Sequence, residues 1–524
     1  MHRAKTIAAL FLSLSSLLCL GAAQAASELA DLIQNGNRFE AVRLIDEGAD
    51  INAAQNDGTT PLHWAVYRKD IALVERLLTN GANAAVANRF GASPLAEAVK
   101  LADSALVEAL LEAGADPESA NLDGQTALML AARTGSVDVA RQLVAYGADV
   151  NALEAWRGQT ALMWAADGGH AELTDYLIDE GADVTTRAVI NDWGSQITSE
   201  PRAQYRPTGG LTPLLYAARS GCLDCISSIV AGGESVDRPS PDGVTPLMLA
   251  IDNLNFDAAD LLLDLDANPH YSDWWGRTAL YLAVDMNTDI PGTPNAWSRT
   301  EAESETDQWV GATARDIMLR LLDGGVEVNT QLNMHRVGRN GNSQRFTDDL
   351  LTTGATPLLR AAIMHDHETM LLLLERGAHV DLPNVMGVTP LMAAASVGVR
   401  DTNFGSNRSP TFASDALIEG KVIESLEILL AAGADINARV TDTHSRTARI
   451  ARPSQMTDRE GRTALFRVAS QGWPRVTEFL IANGAVVDTV DIQGQTAIDV
   501  ARGRTVSGAP VFEDVAALLE AGAN

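Results

Sequence analysis

The chain is poor in cysteine, in aromatic side chains and in positive charge. Three cysteines occur in 524 residues, and Cys19 falls in the amino-terminal segment, so Cys222 and Cys225 are the pair left for thiol chemistry. Aromatic residues make up 5%, and lysine plus arginine total 39 against 68 acids, a formal charge of −29. A polyanion of that strength will not bind nucleic acid or an anionic membrane over its whole surface. Beyond residue 20 no apolar run is long enough to span a bilayer. The G-x-S-x-G, phosphate-loop and H-E-x-x-H patterns are also missing. No catalytic residue, metal site or cofactor is therefore expected, and nucleic acid is not an expected partner.

The first 25 residues carry a targeting pattern. Arg3 and Lys5 precede an apolar run from Ile7 to Leu20, and Ala23-Gln24-Ala25 has the small-x-small form of a cleavage site. This predicts a secretory signal peptide over residues 1–25, with a site that resembles bacterial ones. Leu18 stands where a lipoprotein needs a small residue, so Cys19 is not read as a lipid anchor. The expected location is the periplasm or the outside of the cell, and without Arg3 and Lys5 the charge becomes −31.

From Thr60 onward a unit recurs. Thr60-Pro61-Leu62-His63-Trp64-Ala65 opens it and Gly81-Ala82-Asn83 ends it. The opening returns at Ser93, Thr126, Thr160, Thr212, Thr245, Thr278, Thr356, Thr389, Thr463 and Thr496, and several of these steps are 33 residues. Thr caps a helix, and Pro in the first turn loses no hydrogen bond. An Ala-rich helix follows, then a turn, then a second helix with Val137, Val139, Leu143 and Val144 at helical spacing. Gly147 stops that helix. One helix pair cannot bury its apolar face alone, so neighbours must stack.

The period and the T-P-L-H-x-A opening resemble the ankyrin repeat over nearly all of residues 26–524. The expected fold is all-α, an ankyrin-repeat solenoid of about twelve helix-turn-helix units, with atypical first and last units as caps. Acids at repeated surface positions, Asp149, Asp183 and Asp435, are read as turn formers.

Five long insertions interrupt the period. Residues 185–210, 330–354 and 440–457 extend the fingers between units, whereas 288–312 and 399–421 split the two helices of one unit. The finger insertions hold Arg187, Arg202, Arg206, Arg336, Arg339, Arg345, Arg446, Arg449 and Arg452 against five acids, a net +4. Insertion 288–312 is net −4. The finger cations are all arginine, which suits bidentate recognition of carboxylate or phosphate. Trp193 lies in the first insertion, and Trp156 and Trp275 fall at ordinary finger tips. Arginine with exposed aromatics is the composition of interface hot spots, so this edge is the expected surface for a protein partner, an acidic segment in particular. The alternative is that these arginines dock the loops onto the acidic body. The resemblance implies a second surface on the concave face of the first helices, which includes Tyr67, Arg133 and Arg219.

Cys222-Leu223-Asp224-Cys225 stands at the start of a second helix, where thiolates are favoured. A structural disulfide, a redox site and a pair of plain thiols all remain open there. His365-Asp366-His367-Glu368 offers four ligand types, but at an inter-helix turn consecutive side chains diverge, and no metal site is expected. The leading functional expectation is a non-enzymatic protein-interaction scaffold acting outside the cytoplasm. The rivals are an enzyme or thiol redox protein built on the insertions or the cysteine pair, and a secreted host-directed effector.

Overall fold

The computed structural model describes residues 28–191, 207–287, 311–333, 353–395, 415–441, 460–504 and 510–523, with side chains from residue 418 in the fifth of these segments. The expected leader, residues 1–25, lies outside the described residues. The chain divides into two bodies, Met1–Ile190 with Gly209–Ser235, and Asn191–Thr208 with Val236–Asn524.

The openings do what their residue types dictate. Ser93 Oγ accepts from the Ala96 amide at 3.1 Å, and Thr212 Oγ1 accepts from Leu215 at 3.4 Å. In the T-P-L-H unit the Thr60 amide donates to His63 Nδ1 at 3.1 Å, so His63 Nε2 donates to the Ala92 carbonyl at 3.0 Å and ties one repeat to the next. Burial lowers the His63 pKa, which keeps the ring in the neutral form that these bonds require. In ten of the eleven openings a leucine is the core residue: Leu62, Leu95, Leu128, Leu162 and Leu214 are buried in the first body, and Leu247, Leu280, Leu358, Leu391 and Leu465 in the second.

The described residues contain 24 helices, which pair as twelve units. The first body holds six, from Glu28–Gln34 with Arg38–Asp46 to Pro213–Ser220 with Leu223–Ala231. Within it first helices stack in chain order, Pro61–Tyr67 on Pro94–Lys100, then Ala127–Thr134, Ala161–Asp167 and Pro213–Ser220. The second body holds the other six, from Pro246–Asp252 to Glu513–Gly522.

Asn at the finger start clamps successive units. Asn151 Oδ1 accepts from the Asp183 amide at 2.8 Å while its Nδ2 donates to the Gly181 carbonyl at 3.0 Å. Asn52, Asn329 and Asn437 do the same to their neighbours. The turn-forming acids behave as read: Asp149, Asp183 and Asp435 accept from the amides of Asn151, Thr185 and Asn437. Asn151→Ala removes two bonds across one interface and is expected to cost about 1 kcal/mol. Amide exchange of the Gly181–Asp183 turn, compared between variant and wild type, checks this.

The finger insertions leave from equivalent roots. Ala188 donates to Leu211, Leu332 to Ala355 and Val440 to Arg462, and the return segments answer from Gly210, Gly354 and Gly461 to Val189, Leu332 and Val440. Insertion 288–312 emerges between Ala279–Met286 and Ala314–Asp323. One boundary differs from the sequence reading. Residues 415–421, assigned to an insertion, begin the helix Asp415–Ala431, which is 17 residues long where a second helix usually has nine. Tertiary contact accounts for the extension. Glu419 is buried, and its Oε2 accepts from the amides of Arg475 and Val476, at 2.8 and 3.2 Å, capping the next unit's second helix.

Candidate partner-binding surface

The finger edge of the first body is built from turns held at both ends. At each tip an Asn or an acid accepts backbone amides: Asn88 Oδ1 takes Phe90 and Ala92, both at 3.0 Å, and Glu154 takes Trp156 at 2.7 Å. Adjacent tips are then tied through the backbone, Arg89 to Asp57 (2.8 Å), Ala155 to Asp123 (3.1 Å) and Val189 to Arg157 (2.7 Å). The spacing is close. Gly124 has φ +76°, and a Cβ on it would meet the Ala155 nitrogen at 2.7 Å, so only glycine fits there.

This ladder turns apolar side chains outward on successive tips. Phe90 is 67% exposed, Leu122 77% and Trp156 77%, with Leu153, Val189 and Ile190 also exposed. Arg89 and Arg157 are exposed beside them. Single exposed apolar residues are ordinary, but a row of them on closely packed, internally hydrogen-bonded turns marks an interaction surface.

The structure places the sequence-derived site residues unevenly. Trp156 is on this edge. Arg187 sits at the root of its insertion, where Nη1 donates to the Gly210 carbonyl at 2.5 Å, so part of its bonding is spent on its own loop. Arg202, Arg206, Arg336, Arg339, Arg345, Arg446, Arg449, Arg452 and Trp193 lie outside the described residues. Trp275, read as an exposed tip, is 5% exposed in the second body, and its neighbour Trp274 faces outward instead. Arg277 covers the Trp275 ring at 4.9 Å and bonds Asp273 Oδ2 at 2.6 Å. Burial pushes the Asp273 carboxyl up, and the Arg277 charge pulls it back down. The turn thus keeps Trp275 as core.

The first-helix positions form a second row. Tyr67 is exposed, with its ring edge-on to Trp64 at 5.7 Å. Arg133 lies over the Trp164 ring at 5.5 Å, and Arg219 lies over Tyr216 at 4.9 Å while pairing with Asp167 at 2.5 Å. Tyr216 OH accepts from Gln159 Nε2 at 2.6 Å, and burial raises its pKa. Both arginines are therefore engaged with side chains of adjacent repeats, which leaves Tyr67 the most open of the three.

Cys222 and Cys225 are joined by a disulfide, a bond the sequence reading left open, whereas the histidine turn differs from that reading. His365 and His367 do not diverge: both rings reach Ser425 Oγ at 2.9 Å, His365 through Nδ1 and His367 through Nε2. His367 Nδ1 also lies 3.1 Å from Glu424 Oε2. The order Glu–His–Ser is suggestive of nucleophilic catalysis, but Ser425 is fully buried on a helix and also donates to the Lys421 carbonyl. It joins helices and offers no hydroxyl to a substrate. Sequence spacing had no means of finding it, because Ser425 is 58 residues from His367. Among the described residues no group of three or more His, Cys, Asp or Glu is placed to hold a metal ion, and no helix is long and apolar enough to cross a membrane.

A family model described as ankyrin repeats, three copies, matches residues 29–121, 95–188, 196–273 and 214–290. The human SH3 and multiple ankyrin repeat domains protein 2 is 29% identical over 202 residues, 37% of this chain and 10% of that protein. The Arabidopsis thaliana E3 ubiquitin-protein ligase XBAT32 is 29% identical over 194 residues, 34% of this chain and 32% of that protein. The chain thus spans a tenth and a third of the length of these relatives. Among solved structures, the ankyrin repeat domain of human ASB11 is 23% identical, with a TM-score of 0.38, covering 46% of this chain and 99% of that one. Recurrent openings, paired helices and the matched family model agree, and the chain belongs to the ankyrin-repeat family.

Proposed function

We propose that the chain is a scaffold that holds a protein partner along the finger edge of its first body. The observation that carries this is the row Phe90, Leu122 and Trp156, exposed on closely packed turns, those of Leu122 and Trp156 bonded through Asp123 and Ala155. A surface already ordered loses little entropy on binding, so apolar area on it converts into affinity. Arg89 and Arg157 border the row. That charge, on a chain of −29 overall, favours a partner segment with acids flanking apolar anchors. Ankyrin repeats in general support protein–protein interaction; the ligase activity in one relative's name belongs to that relative. The leader pattern supports action in the periplasm or outside the cell.

The test is affinity capture from the exported fraction, comparing wild type with Phe90→Ala/Leu122→Ala/Trp156→Ala after circular dichroism shows both folded. A partner retained by wild type should be lost by the variant, with Trp156→Ala alone weakening binding by about 2 kcal/mol or more. Equal retention of that partner would move the site away from this edge, and export is tested separately by the mass of the chain recovered outside the cytoplasm.

A further inference from the structure

The cysteine pair occupies a position with a defined electrostatic character. In the second and third repeats the residue before the second helix is Asp70 or Asp103, whose carboxylate accepts from the amide three residues on, Leu73 at 3.1 Å and Leu106 at 3.2 Å. In the sixth repeat Cys222 stands there, and its Sγ accepts from the Cys225 amide at 3.2 Å. A site that elsewhere stabilises a carboxylate will stabilise a thiolate for the same reasons, an unpaired amide and the positive end of the helix. The helix Leu223–Ala231 is nine residues long.

The two sulfurs differ in surroundings. Cys222 is half-buried and reaches the surface, whereas Cys225 takes the core position held elsewhere by Leu73 or Val139 and is fully buried. Thr174 from the preceding repeat, itself buried, donates its hydroxyl to Cys225 Sγ at 3.6 Å. The bond closes a loop over a separation of only three residues. Loops that short restrict the unfolded chain little, so stability alone is a weak reason for the bond.

We propose that Cys222 and Cys225 form a thiol–disulfide exchange site that oxidises dithiols, with Cys222 the sulfur attacked from solvent and Cys225 the buried leaving sulfur. A thiolate of the dithiol attacks Cys222 Sγ, and the bond to Cys225 breaks. Its electron pair stays on Cys225 Sγ, where the Thr174 hydroxyl supports the charge until a proton arrives from solvent. The second sulfur of the dithiol gives up its proton and attacks the first, and Cys222 leaves as a thiolate into its cap. The dithiol loses two electrons and becomes a disulfide; the cysteine pair gains both. Because the cap stabilises the reduced form, the equilibrium favours this direction. Asp224, in the first turn, is exposed, so water screens its opposing charge.

The experiment equilibrates the full chain with reduced and oxidised glutathione at pH 7, folded and in urea, followed by acid quench, alkylation and peptide mass mapping that counts Cys19 apart. The folded pair should be reduced more readily than the unfolded pair, with the equilibrium shifted at least about tenfold toward the dithiol. An equal or opposite shift overturns the proposal, because the fold would then favour the bond as a brace. With oxidised glutathione, folded Cys225→Ala should accumulate a mixed disulfide on Cys222, whereas Cys222→Ala should leave Cys225 unmodified; the reverse pattern overturns the assignment of roles. Should either variant fail to fold, the wild-type equilibrium still decides.

Discussion

Replacing Asp285 by alanine is expected to cost about 3–5 kcal/mol locally, as removal of one partner from a buried ion pair does. Asp285 lies on the helix Ala279–Met286 and bonds Arg360 of Pro357–Met364, and both side chains are buried. Without the carboxylate, the guanidinium remains in a low-dielectric interface with its main counter-charge gone. Asp285→Leu combined with Arg360→Met should recover most of the loss, because well-packed apolar residues can replace such a pair at little cost. The contrast between single and double variants is the diagnostic result. A repeat array does not unfold as one unit, so the measurement is hydrogen exchange of the two helices, not a single melting temperature. A single variant as stable as wild type would mean that water reaches Arg360.

The second large effect is loss of stability in mild acid around His365. Burial, then the neighbouring charges of His367 and Lys421, lowers its pKa from 6.5 to about 4. The folded state therefore favours the neutral ring. The stability this represents is complete above pH 6.5 and is lost as pH falls toward about 4. That difference corresponds to about 3 kcal/mol. His365 also holds a left-handed backbone, φ +54°, after Pro357–Met364, and its Nδ1 contacts Ser425 Oγ. His365→Asn tolerates that backbone and does not titrate. Exchange protection of His367–Glu375 should fall by roughly 100-fold between pH 7 and 4.5 in wild type, after correction for intrinsic exchange, and much less in the variant. Equal losses in both would assign the acid sensitivity to other groups, such as His63, whose pKa burial also lowers.

Much of this molecule was legible because its information is local and repeated. Thr at a helix start, Pro in the first turn, Leu at the next position and Gly at the end each act within a few residues, so every opening from Thr60 to Thr496 announces a helix pair. Asp149, Asp183 and Asp435 were legible as turn formers for the same reason: their bonds reach two residues along the chain.

The failures occur where neighbours in space decide. Trp274 and Trp275 look alike in sequence, but consecutive residues in a turn face opposite ways, and Arg277 and Asp273 keep Trp275 inside. Residues 415–421 read as insertion because they exceed the repeat period, yet Glu419 accepts two first-turn amides of the next unit, and the helix runs on to meet them. His365 and His367 were placed at a turn correctly; their convergence depends on Ser425, which a separate helix supplies.

By itself the sequence determined the twelve units, their capped helices, their leucine core and the five places where the period breaks, since all of these follow from residue type and spacing along the chain. Tertiary structure alone decided which finger side chains face outward, which arginines are already held by aromatic rings, and that the two sulfurs at Cys222 and Cys225 are bonded. Exposure and pairing are set by what the adjacent repeat places opposite a side chain, and that partner is usually about one period or more away along the chain.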